Sequence, residues 1–100
     1  MNDDEFEAEL QFATSMRKDP QRVLYWTGYR RGLLRARFGT RFSSNTNHFA
    51  WRDFHEDEDP PVAELGRGYL DGLNCVINGR SSALRHVHSG SWSKPADDRY

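Results

Sequence analysis

The chain has a single cysteine, Cys75, among its 100 residues. One thiol excludes an internal disulfide and a cysteine-rich zinc ribbon, and it fits a reducing compartment. No apolar run approaches the roughly 20 residues that a membrane-spanning helix needs, and the acidic start is unlike a signal peptide. Alternation of apolar and polar residues over a strand length is missing, apart from the short run LRHVH at 84–88. Also missing are a phosphate-cradling glycine loop, a nucleophile motif and paired catalytic carboxylates. These absences predict a soluble cytoplasmic protein of all-α class, not an enzyme, with no cofactor or metal.

Apolar residues make up only 36% of the chain, but six Phe, four Tyr and three Trp supply enough bulk for one core if they face inward. Mean hydropathy is -0.91, that of a very polar surface. The expectation is a single helical domain over residues 1–88, with residues 89–100 (SGSWSKPADDRY counted from Ser89) as a flexible tail.

A net charge of -1 conceals strong segregation. Residues 3–9 hold five acids and no base, and residues 53–64 hold six acids and no lysine or arginine. Between them, residues 17–41 hold eight bases against one acid, Asp19. Such blocks either neutralise one another within the fold or steer the protein toward a charged partner.

Helical periodicity organises the rest. Phe6, Leu10, Ala13 and Met16 form an apolar stripe that predicts a first helix over residues 3–18, with acids in its first turn and Arg17-Lys18 in its last. Asp19-Pro20 reads as an N-cap and first position of a second helix, stopped by Gly39. Ser44 or Thr46 is placed to cap a short helix carrying His48, Phe49, Trp51 and Phe54. HEDEDPP at 55–61 reads as a loop, after which a helix runs from near Pro61 to Asn78. Ser81 or Ser82 is placed to cap one last short helix through His88. The expected architecture is a small bundle of four to five helices.

Two of these helices share a spelling. TGYRRGLLRARFG at 27–39 and RGYLDGLNCVING at 67–79 agree at five of thirteen positions, at an offset of forty. On a helix, Tyr25, Gly28, Tyr29, Gly32, Leu33 and Ala36 fall on one face, and Leu65, Gly68, Tyr69, Gly72, Leu73 and Val76 on the matching face. Glycine inside a helix costs about 0.5–1 kcal/mol relative to alanine. Four of them imply a compensating gain, and close backbone approach is the one available. The pattern predicts a glycine-mediated pair between the helices near 20–38 and 61–78, related by a quasi-two-fold. The opposite faces are expected to be exposed, with Arg31 and Arg35 matched by Asp71 and Cys75.

The candidate binding residues follow from charge. Arg30, Arg31 and Arg35, with Arg37, make a basic helix of the kind that tracks phosphates. Glu56, Asp57, Glu58 and Asp59 make an acidic, proline-bounded loop suited to a basic protein surface. His48, His55, Asp57 and Asp59, and the pair His86 and His88, lack any specific ligand spacing and are read as ordinary surface residues. Cys75 has no base nearby in sequence and reads as a semi-buried filler.

The pairing of YWTGYRRGL at 25–33 with GRGYLDGL at 66–73 resembles small proteins carried by proteobacterial plasmids and phages. The size, charge and missing catalytic motifs resemble those of phage-encoded anti-CRISPR inhibitors. That resemblance implies stoichiometric blocking of a Cas surveillance complex, in a host cytoplasm, by the acidic loop or the arginine helix. The other expectation is a small DNA- or RNA-binding module acting through the arginine helix.

Overall fold

Asn2 starts the first helix, α1 (Asp3–Met16), through a capping box: its side chain accepts from the Glu5 amide while the Glu5 side chain accepts from the Asn2 amide. In this computed structural model the described residues are 1–78, and they form four α-helices and no strand. The expected 81–88 helix, the Gly79 stop, His86, His88 and the tail lie outside the described residues.

The α1 helix stops at Met16, before Arg17-Lys18. Asp19-Pro20 does not open the next helix either. The Asp19 side chain accepts from the Gln21 amide at 3.0 Å and its carbonyl from Arg22, which closes a separate turn. The second helix, α2 (Val23–Phe38), therefore begins three residues later than the proline suggests. It ends where expected, at Gly39, whose φ of 61° lies in the region that glycine alone enters freely. A 3₁₀ turn at Gly39–Arg41 leads to α3 (Asn45–Asp53), capped by Ser44, whose hydroxyl accepts from the Asn47 amide at 3.1 Å. A second 3₁₀ turn, Phe54–Glu56, and a bend at 58–59 lead the chain into α4 (Pro60–Asn78).

The α2–α4 pair is the spine. A Cβ placed on Gly28 would stand 2.0 Å from the Leu65 carbonyl oxygen, and one on Gly68 1.9 Å from the Tyr25 carbonyl oxygen. One on Gly32 would stand 2.2 Å from the Tyr69 oxygen, and one on Gly72 2.2 Å from the Tyr29 oxygen. Adding forty to one member of each contact and subtracting forty from the other generates its mate, so the pair has the quasi-two-fold that the repeated spelling implies. The contacts advance in step along both chains, and the helices therefore run parallel. Four carbonyls over four glycine Cα atoms is the placement of weak Cα–H···O contacts, about 0.5–1 kcal/mol each. These, with the dispersion gained at backbone contact, offset the helix cost of the glycines.

Two further elements flank this spine. Phe6 and Ala13 of α1 pack on the α2 side with Tyr25, Trp26, Tyr29, Leu33 and Cys75. Trp26 sets its ring 5.5 Å from Phe12 and 4.9 Å from Tyr29. On the other side, position 66 of the repeat is glycine where position 26 is tryptophan. A Cβ on Gly66 would stand 2.1 Å from the His55 amide nitrogen, so the 3₁₀ turn after α3 lies directly on α4 there.

Candidate interaction surfaces

The repeat uses tyrosine twice, and each hydroxyl receives a different third element. Tyr29 is fully buried and donates to the Glu9 carboxyl of α1, beside Cys75. Burial, then the nearby Glu9 and Cys75, raise the Tyr29 pKa far above that of a free phenol. Tyr69, 1% exposed, places its hydroxyl 2.7 Å from Nδ1 of His48 on α3. Burial raises its pKa, while Arg35 and Arg31 act the other way. Positions 35 and 75 are mates in the repeat, and each lies beside the other helix's tyrosine.

Those positions are where the sequence reading needs correction. The face of α2 carrying Arg31 and Arg35 is largely covered, with Arg35 buried and Arg31 half-buried. Arg35 is 9% exposed, with Nε donating to the Ser43 carbonyl at 3.1 Å and an Nη donating to Asn45 Oδ1 at 2.6 Å. The Arg31 guanidinium lies 4.7 Å from the Trp51 ring centre and 5.1 Å from that of Phe42, and it donates to Asn47 Oδ1 at 2.8 Å. Both are covered because α3 and the turn before it fold over that side of α2. Cys75 likewise is not semi-buried but 2% exposed, because α1 closes the other side.

The remaining arginines are partly engaged as well. Arg30 Nε donates to Thr14 Oγ1 at 3.0 Å, joining α2 to α1. Arg37 pairs with Asp3 and lies over the Phe6 ring; Arg22 lies 3.7 Å from Glu64 and over the Tyr25 ring. The charged blocks thus do neutralise one another at Asp3–Arg37 and Glu64–Arg22. Arg30, Arg31 and Arg35 instead use neutral oxygens and aromatic faces.

The acidic loop behaves differently. Glu56, Asp57, Glu58 and Asp59 are all exposed, and none pairs with a lysine or arginine among the described residues. His55 lies 3.7 Å from Glu56 and donates from Nδ1 to the Arg52 carbonyl. Asp57 accepts from the Asp59 amide at 2.8 Å, an Asx turn that fixes the bend before Pro60. The loop's placement, ahead of a helix start, brings four carboxylates to one exposed corner.

Comparison with family models, with curated proteins and with solved structures returns no match. Among the described residues no group of three or more His, Cys, Asp or Glu is arranged to hold a metal ion, and no helix is long and apolar enough to cross a membrane. An open groove lined by Leu34, Phe38, Arg41 and Phe42 lies near the end of α2, with Phe38 39% exposed.

Glu9 was missed in the sequence. It sits three residues after Phe6 and four before Ala13, on the apolar stripe, and that register was the available signal. Tyr25 falls on the inner face by its spacing, yet its hydroxyl donates to Asp71, which the same spacing puts on the outer face.

Proposed function

We propose that this is a non-enzymatic binding protein that occupies a basic surface on a nucleic-acid-handling complex through its acidic corner, residues 56–59. The observation that carries this reading is the unequal use of charge. Arg31 and Arg35 are engaged by Asn47, Asn45 and the Ser43 carbonyl, whereas Glu56–Asp59 are exposed and pair with no lysine or arginine among the described residues. A surface built to hold phosphates is rich in Lys and Arg, and closely spaced carboxylates on a rigid turn offer it a competing anion. An inhibitor of the anti-CRISPR kind, which the sequence resembles, acts in this way on a Cas complex of a host cell.

Direct binding of DNA or RNA by α2 is the competing reading, and the internal engagement of its arginines weighs against it. The experiment is affinity capture from a host lysate with the wild type and with a variant carrying serine at positions 56–59. Loss of a nucleic-acid-binding subunit from the variant alone supports the reading. Equal capture by both proteins removes the loop from it. Tight, salt-sensitive binding of purified chain to DNA would replace it with the nucleic-acid module.

A further inference from the structure

Of the four described α-helices, α3 alone has no buried residue. It rests on α2 and α4 through a few polar and ring contacts. Arg31 reaches Asn47 and Trp51, the Trp51 and Tyr69 rings lie 5.7 Å apart, and His48 meets the Tyr69 hydroxyl at 2.7 Å. Elements of this kind open locally at a small fraction of the global unfolding free energy.

The two polar atoms share one hydrogen, and which of them supplies it depends on the ring. A neutral ring with Nδ1 bare accepts from the Tyr69 phenol, whereas a protonated imidazole can only donate there, and the hydroxyl must then turn its own hydrogen elsewhere. The charges acting on the ring are all positive: Arg35 from α2 and Arg52 from α3 itself. From α4 the facing titratable group is the Tyr69 phenol, on which Arg31 and Arg35 also act. Among the described residues, no carboxylate joins Arg35 and Arg52 in acting on His48.

We infer that the seat of α3 on α4 is a proton-sensitive latch, released when His48 takes up a proton. Burial, and then Arg35 and Arg52, hold the proton affinity of the seated ring below that of an ordinary histidine. An unseated α3 exposes its imidazole to water, where it titrates near about 6.5. The unseated form therefore binds the proton first. Seating is fully favoured above the ordinary histidine range and weakens as pH falls through it. This inference is independent of the partner assigned to the acidic corner.

The test is NMR of the full chain, titrated from about pH 7.5 to about pH 5. The Trp51 indole and the α3 amides are expected to shift or broaden together with the His48 ring signals, while the Gly28 and Gly72 amides stay in place. His48→Gln should abolish the transition, and His55→Gln, at an exposed ring, should retain it. The same transition in His48→Gln would overturn the latch, as would α3 signals that do not move. If His48→Gln fails to fold, the wild-type ring decides: α3 moving at a midpoint other than that of His48 overturns the proposal, and a shared midpoint supports it.

Discussion

Gly68 and Tyr25 meet backbone to backbone, so that a Cβ on the glycine would stand 1.9 Å from the tyrosine's carbonyl oxygen. A backbone atom of a packed helix has no rotamer by which to retreat. Gly68→Ala is therefore expected to separate α2 from α4, although alanine is the better helix former by about 1 kcal/mol. The net loss should be about 2–4 kcal/mol, read as a lowered thermal midpoint. Gly28→Ala should match it, as its mate in the repeat. Gly39→Ala is the contrast: nothing lies within 4 Å of a Cβ there, and only its φ of 61° opposes the change. It should cost about 1–2 kcal/mol.

Tyr29→Phe removes the hydroxyl that donates to buried Glu9, leaving the carboxyl in an apolar core with one donor fewer. The expected loss is about 1–3 kcal/mol by chemical denaturation. Glu9→Leu in the same background should restore part of it, because replacing both members of a buried polar pair spares the unmatched partner. A double-mutant cycle with no coupling between positions 9 and 29 would contradict the contact.

Alkaline pH should unfold the chain from within. Tyr29 and Tyr69 have raised pKa values, so the folded state keeps protons that the unfolded state releases near about pH 10. Their contribution to stability is full below that pH and falls as pH rises above it. Absorbance of phenolate should show Tyr29 ionising only together with loss of helical circular dichroism.

Arg35→Lys keeps the charge but loses the forked donation to Ser43 and Asn45. It is expected to lower stability by about 1–2 kcal/mol. Arg41→Ala, at an exposed residue over the Phe38 ring, should change it by less than about 0.5 kcal/mol. Thermal denaturation of the two variants side by side checks the difference.

The glycine pair was legible because its signal is local and repeated: small residues four apart on two helices at one fixed offset. The burial of Arg35 and Cys75 was not legible: each lies on a helix face that periodicity marks as outer, and each is covered by another element, while Glu9 showed only in its register on the apolar stripe. Asp19-Pro20 misled for a different reason. The same side-chain chemistry that caps a helix also closes an Asx turn, and the choice depends on where α1 must end to pack on α2.

By itself the sequence determined the all-α class, the end of α2 at Phe38, and the contact between the two repeats, since these follow from backbone geometry and spacing. Only the tertiary structure decided which charges face water. Exposure belongs to a face and to whatever covers it, and α1 and α3 cover opposite sides of one spine while leaving the carboxylates at 56–59 open.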